Sequence, residues 1–316
     1  MALIKEIWVQ DVQNALNQNA DFLPYSTDHS AYVAFGTVHV PQSGANPTVL
    51  VNPSSFPIAV ADRTDTDLTY SLNQYALTPT VITNLDELQI SYDKRQSVIG
   101  QQMSTLTEVI GNVVANSWSP AGSANIIRTS GATGGALAPS ATGTRGLVAL
   151  PDIASMAKKL DKDNVPSQGR KLLMNADMFW ELFTISEVVR ASYNGFQMAN
   201  GNNTLSTGVV AQLFGFEIYK RPTVAIYDNT ATPVLKTLSS GYYTAAATDN
   251  LACIAWHPAY VSRALGSMNP MYDAGSNGNG KPEYLGSIFN MEVMLGSAKL
   301  RSDSKGVAAL VQTKLT

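Results

Sequence analysis

The sequence predicts an α+β fold, and three observations carry that prediction. The stretch from Asp93 to Pro120 reads as one long amphipathic helix. The region before it is strand-like, broken by prolines and poor in core residues. The region after it alternates short helices with apolar strands.

The helix is the clearest element. Ile99, Met103, Leu106, Ile110 and Val113 recur at alternating spacings of four and three, which puts them on one face. Val109, Val114 and Trp118 widen the stripe. Asp93 stands where an N-cap is needed, and Pro120 marks the stop. At 1.5 Å per residue the rod would be roughly 38 Å long. Gly100 and Gly111 lie inside it, each costing about 1 kcal/mol relative to alanine. They mark points where the rod could bend between curved states.

Before the rod, residues 2–17 carry Ile4, Trp8, Val12 and Ala15 or Leu16 at helical spacing, and a loop from Asn19 to Ser30 separates them from the rest. Such a terminal helix needs a surface to lie on. From Tyr32 to Val40 the residues alternate as in a strand. Pro41, Pro47, Pro53, Pro57 and Pro79 then punctuate short runs such as TVLVN, PIAVA and TVIT. Leu68, Tyr70 and Leu72 alternate again. These runs hold too few large apolar residues for a core, and a lone hairpin is marginal in water. Either the region is a long loop that gains stability on another surface, or it is an irregular sheet packed on the main body.

After the rod, residues 119–150 are rich in Gly, Ser, Ala and Thr and read as a loop. A short helix over 152–160 shows Ile153, Met156, Ala157 and Leu160 on one face. RKLLMN, residues 170–175, reads as a buried strand, and a helix with Phe179, Trp180, Leu182, Phe183, Ile185 and Val188 follows over 176–190. Strands are expected at 215–219, 223–227, 251–257, 288–295 and 306–312, with a glycine-rich loop at 275–280. No internal repeat is visible.

Composition narrows the function. The chain has 316 residues, enough for one large or two ordinary domains. Charged residues make up 14%, against about 25% in an ordinary soluble domain. Little charge with much Ser, Thr, Asn, Gly and Ala implies surface buried against other chains; a weakly charged monomer is the plain alternative. The net charge of −3 announces no nucleic-acid surface. The single cysteine, Cys253, excludes an internal disulfide framework and reads as a small buried residue. No run is long and apolar enough to span a membrane, and Glu6 and Asp11 interrupt any signal-peptide core, so manufacture in the cytoplasm is expected.

Motifs for chemistry are missing. Gly131–Gly135 lacks the lysine and the feeding strand of a phosphate-binding loop. Asp161 and Asp163 have calcium-loop spacing, but Val165 and Pro166 stand where a ligand and the turn glycine belong. His29, His39 and His257 are far apart and form no metal or hydrolase motif. Lys158, Lys159, Lys162, Arg170 and Lys171 are the densest basic region, and helical phase scatters the first three over a solvated face. No catalytic, cofactor-binding or metal-binding residue is assigned.

The order of parts resembles the major capsid proteins of tailed phages with the Hong Kong 97-like fold, over essentially the whole chain. The stretch DKDNVPSQGRKLLMNADMFWELF, residues 161–183, carries the resemblance best. Val165, Pro166, Gly169, Arg170 and Asn175 match the family's turn and strand, with Ala176 in place of a frequent proline. GVVAQLFGFEIYKRP, residues 208–222, resembles the second signature, where Gly215 precedes a strand. IKEIWVQDVQNAL, STDHSAYV, RTDTDLTY and SYDKR are also similar to capsid proteins of this group.

The resemblance implies an N-arm over 1–30, an extended E-loop hairpin over 31–92 and a peripheral domain over 93–165 with its spine helix at 93–118. It further implies an axial domain over 166–250 and return strands of the peripheral domain over 251–316. The implied function is a structural protein, not an enzyme, self-assembling into hexamers and pentamers of an icosahedral shell around double-stranded DNA. Implied partners are the chain itself, a portal, decoration proteins and non-specifically packaged DNA, with no membrane and no cofactor. Met1 leads almost directly into the N-arm, so a separate scaffolding protein is expected, unless none is needed. The implied location is the virion capsid, assembled in the host cytoplasm. An encapsulin-like compartment of the same fold is the alternative. For contacts between subunits, Trp8, Tyr70 and Tyr75 are the candidate anchors, and Arg63, Asp65 and Asp67 the candidate rim charges.

Overall fold

In the computed structural model the described residues are 21–83 without 45, 46, 55, 59 and 61; 94–183; 211–273 without 229–231; and 281–315 without 282. The expected helix over 2–17 with Trp8, the Asp93 cap, the helix beyond 183 and the loop at 275–280 lie outside them.

Short strands come first: β1 (Thr27–Asp28), β2 (Thr37–Gln42), β3 (Thr66–Ser71), β4 (Asn73–Ala76) and β5 (Thr80–Thr83). The long helix α1 (Lys94–Trp118) follows, then β6 (Ile126–Arg128), β7 (Thr144–Arg145), α2 (Leu150–Lys162), β8 (Arg170–Asn175) and α3 (Ala176–Phe183). Next are β9 (Ala211–Leu213), β10 (Phe216–Arg221), β11 (Ala225–Tyr227) and β12 (Asn250–Trp256). The chain ends with β13 (Val261–Asp273), β14 (Gly286–Lys299), β15 (Val307–Val311) and β16 (Lys314–Leu315).

A seven-stranded mixed sheet in the order β6-β15-β12-β8-β10-β9, with β11 on β12, forms the central layer. Its central strands are apolar at nearly every position because both faces are covered. Ala252, Ile254 and Trp256 of β12, Val307, Ala309 and Val311 of β15, Leu173 of β8 and Tyr219 of β10 face one core with α1. The alternate residues Leu251, Cys253, Ala255, Ala308, Leu310, Leu172, Met174, Phe216 and Ile218 face a second core. There α2 contributes Ile153, Met156 and Leu160, and α3 contributes Met178, Phe179 and Leu182. The period of two along each strand thus sorts one sequence into two cores.

The second sheet is built on a long hairpin. β13 and β14 pair antiparallel from Val261↔Lys299 to Asp273↔Ile288, with an irregularity between Leu265 and Met268. β4 and β5 add to β14, and β1 adds to β13. Phe289, Met291, Val293 and Leu295 of β14 pack on the same core as Leu106, Ile110, Val114 and Trp118 of α1.

The end of α1 is pinned by its polar groups. Trp118 Nε1 donates to Ser262 O at 3.1 Å, and Asn116 Nδ2 donates to Lys236 O at 2.8 Å. Asn112 Nδ2 donates to Gly241 O at 3.1 Å, Lys299 Nζ to Ser119 O at 2.8 Å, and the Tyr227 hydroxyl to Pro120 O at 2.6 Å. Phe22, Trp118 and Trp256 meet edge-on or tilted, with centroids 5.5–6.3 Å apart. The helix therefore joins both sheets and the entering chain.

The structure adds detail to several expectations. The strand expected from Tyr32 starts at Thr37, because Phe35 (φ 50) and Gly36 (φ 74) form a two-residue turn closed by paired bonds between Ala34 and Thr37. β13 is an additional long strand. Strands from distant parts of the chain share one sheet. β12 and β15 hydrogen-bond into the sheet of β8 and β10, whereas β13 and β14 form the other sheet. Within the segment 31–92, β4 and β5 are bonded to the main body, so the unsupported part is narrower than the whole region.

Candidate inter-subunit surface

The hairpin of β2 and β3 pairs from Thr37↔Ser71 to Gln42↔Thr66. Its inner face rests on the second sheet: Val38 and Leu72 pack with Ala264, and Val33, Val40, Tyr70 and Met294 close that small cluster. Gln42 Nε2 donates to Leu300 O at 2.8 Å and ties the far end of the stem to the body. The described residues between 43 and 65 extend beyond the stem.

That extension turns its apolar side chains outward. Val60 is 95% exposed, Val49 85%, Val51 82% and Phe56 75%, with Leu50 and Ile58 also exposed. Isolated exposed leucines are ordinary, but six large apolar side chains within twelve residues form a patch. The runs TVLVN and PIAVA supply five of them, apart from Phe56. The third such run, TVIT, behaves differently: its Ile82 is buried, on the strand β5 that pairs with β14.

The candidate charges have partners in their own chain. Arg63 Nε and Nη2 each donate to Asp65 at 2.7 Å, and Gly44 N donates to Asp65 Oδ1 at 2.8 Å. The Arg63 hydrogen bond holds the Asp65 carboxyl below the usual carboxylate range. Asp67 Oδ2 lies 2.6 Å from His39 Nδ1 across the hairpin. The candidate aromatics also serve their own chain: Tyr70 sits in the stem cluster with its hydroxyl 3.2 Å from His29 Nδ1, and Tyr75 packs against the main core. Trp8 lies outside the described residues.

The matched turn has a physical basis. Buried Arg170 donates through Nε to Pro166 O at 2.8 Å and through Nη2 to Val165 O at 2.6 Å and Asp161 Oδ1 at 2.7 Å. It thereby closes the end of α2, while Gly169 takes φ +79 to turn the chain into β8. Lys171 pairs with Glu217, and Lys159 with Asp163. The basic cluster is thus largely spent inside the fold, not collected into a nucleic-acid patch.

Sequence reasoning missed Glu181. Its Oε1 accepts from Ala136 N at 2.7 Å and its Oε2 from Val148 N at 3.1 Å, stapling the glycine-rich loop to α3. Burial pushes its carboxyl above the usual range against the pull of those two amides. Gln312 does similar work, accepting from Leu251 N and donating to Ala136 O. No local pattern marks such long-range pairs.

For chemistry the arrangement offers little. Among the described residues no three His, Cys, Asp or Glu side chains group as a metal site. A cleft of about 370 Å³ lies between Phe22, Thr107, Glu108, Leu173, Tyr219 and Arg221. Cys253 is fully buried with its thiol pushed up to about 12 by burial, which makes it unreactive.

The capsid of cyanophage P-SCSP1u matches this backbone at a TM-score of 0.58 and 17% identity, over 90% of this chain and 86% of that one. The capsid of cyanophage Pam1 matches at 0.63 and 9% identity, over 94% and 93%. This is the fold of tailed-phage capsid proteins. The same capsid fold extends to a virus-like particle from Pyrococcus furiosus, at 0.52 and 9% identity over 95% of both chains. No protein-family model matches the sequence, and no curated protein is significantly similar to it.

Proposed function

We propose that this chain is a capsid shell protein whose activity is self-assembly around the double-stranded DNA of a tailed phage. The observation that carries the reading is the apolar extension over 47–60, held out on a stem that is itself fixed to the body, in a chain with the capsid fold. Burying a Val, Leu, Ile or Phe side chain contributes about 1.5–3 kcal/mol. Six of them only modestly exceed the cost of association, about 4–15 kcal/mol. Single contacts of that strength are weak and reversible, and a closed shell accumulates them.

In this reading residues 1–30 are the N-arm, 31–92 the E-loop with its working tip at 43–65, and α1 the spine helix. Hexamers and pentamers of the chain form an icosahedral shell in the host cytoplasm. A portal, decoration proteins and a separate scaffolding protein are the further partners. The net charge of −3 suits a wall that does not hold packaged DNA tightly. The exposed tip is the better contact surface, and Trp8, Arg63, Asp65 and Asp67 stay as further contact candidates.

Electron microscopy of the purified full chain tests the proposal. Closed shells of uniform size are expected, and a chain that stays monomeric at high concentration overturns it. Replacing residues 47–60 by a short Gly-Ser linker should leave soluble subunits that close no shells. The match to the Pyrococcus furiosus particle favours one second reading, an encapsulin-like compartment. DNA inside the particles, as against enclosed protein, decides between the two.

A further inference from the structure

Tyr25, in the segment that leads into β1, packs against Tyr219 of the central sheet. Their ring centroids lie 5.2 Å apart, with the planes tilted by 41°. The Tyr219 hydroxyl is also hydrogen-bonded to the Tyr25 side chain. Two phenols joined in that way bring the carbons beside their hydroxyls, the ortho carbons, next to each other. The tilt suits a direct bond between the rings, because such a bond is itself twisted.

Both rings are held in place. Tyr25 N donates to Phe22 O at 3.2 Å, and Trp256 Nε1 donates to Tyr25 O at 2.8 Å. Tyr219 stands in β10, opposite Leu173 of β8. Lys171 Nζ lies 4.0 Å from the centre of the Tyr25 ring and 5.8 Å from that of Tyr219. That ammonium opposes a bare positive charge on either ring, so an electron leaves only together with a phenolic proton. A proton acceptor is in position, since the Tyr219 hydroxyl donates to Glu217 Oε2 at 3.3 Å. Burial, with the bond to Tyr25, pushes the Tyr219 phenol above its usual range and keeps its proton in place until then. The cleft of about 370 Å³ beside Phe22 and Arg221 reaches Tyr219 and gives a small molecule access to it.

We propose that Tyr25 and Tyr219 form an oxidative cross-linking site, at which a one-electron oxidant generated from hydrogen peroxide joins the two rings as dityrosine. Each phenol gives one electron to the oxidant and its proton to solvent, Tyr219 by way of Glu217. The two radicals pair in one new bond between ortho carbons, and the ortho hydrogens then move to the oxygens, restoring both phenols. The two electrons and two protons reduce one peroxide to two waters. The product ties the entering chain to the central sheet covalently. Both rings belong to one chain, so the inference stands apart from the shell reading.

The purified full chain, kept dilute, is treated with hydrogen peroxide and a trace of haem. The expected product is a monomer with the blue emission of dityrosine, a mass lower by two hydrogens, and a linked pair of tryptic peptides containing Tyr25 and Tyr219. Tyr25→Phe and Tyr219→Phe keep the ring packing, and each should abolish the emission. Undiminished emission in either folded variant overturns the proposal. Linkage through other tyrosines, or oxidation confined to tryptophan and methionine, overturns it as well. The wild-type peptide map decides by itself should a variant fail to fold.

Discussion

Arg221 donates through Nη2 to the backbone oxygen of Glu108, 2.9 Å away, and its guanidinium lies against the bare backbone of Gly111. A methyl group at 111 would come within 2.5 Å of Nη2 and 2.8 Å of Cζ. The same guanidinium donates to Thr223 O at 3.1 Å and stands over the Phe22 ring at 5.7 Å. Burial pushes its pKa down, so it depends on those carbonyls for solvation.

The two glycines of α1 therefore behave in opposite ways. A methyl at Gly100 meets nothing within 4 Å. Gly100→Ala should stabilise the subunit by about 0.5–1 kcal/mol through helix propensity. Gly111→Ala pushes the half-buried Arg221 guanidinium off its two carbonyl acceptors and should destabilise by about 1–3 kcal/mol. Urea denaturation of the two single variants checks this. Equal stabilisation by both would show that Arg221 moves aside freely.

Arg170 carries the next prediction. Its fork satisfies Pro166 O and Val165 O and also reaches Asp161. A lysine ammonium cannot reproduce that planar arrangement. Arg170→Ala should cost about 3–5 kcal/mol, because buried acceptors lose their donor at about 1–3 kcal/mol each. Arg170→Lys should recover less than half of the loss. Denaturation midpoints give both values, and full rescue by lysine would reduce the role to simple charge.

These residues show where sequence reading reaches and where it stops. α1 was legible because its stripe has helical period over many turns. β12 and β15 were legible because long apolar runs mark strands covered on both faces, and β8 through its shorter run of Leu172, Leu173 and Met174. β13 was not, because Gly266 and Pro270 look like loop residues. Gly266 is needed where Leu72 and Met294 crowd the backbone, at 2.8 and 2.9 Å from an added Cβ, and Pro270 still takes its place opposite Met291. The alternation around Tyr70 and Tyr75 shows a face but not what that face touches, and the half-buried contacts of both rings within the chain needed the structure to be seen. The turn at Phe35 interrupted a convincing strand pattern through backbone conformation alone. The exposed tip was legible as a lack of core residues, and its extent needed the stem to be seen.

Glu181 makes stability depend on pH in an identifiable direction. Burial raises its folded-state pKa above the unfolded value, so the folded chain binds its proton more readily. Its contribution is most favourable below the ordinary glutamate range and is lost as pH rises through the raised folded value. Glu181→Gln removes this dependence and replaces one acceptor oxygen by a donor facing an amide. The stability difference between wild type and Glu181→Gln should therefore widen as pH falls from 7 toward the ordinary range of about 4.3. Chemical denaturation of both proteins across that window measures it. A constant difference would show that the carboxyl stays ionised throughout.

The loop tip should separate folding from assembly. Val49 and Val60 touch little of their own chain, being 85% and 95% exposed. Surface substitutions without partners usually change stability by less than about 0.5 kcal/mol. Val49→Asp with Val60→Asp should therefore leave the melting temperature of the isolated subunit unchanged. At a buried contact the same two carboxylates would each face a large desolvation penalty. Two such penalties exceed the modest surplus of six apolar side chains, so shells should fail to close at any attainable concentration. Light scattering and electron microscopy on the variant provide the check. Normal shells would show that the tip stays in solvent after assembly, and the contact would then have to be sought elsewhere on the chain.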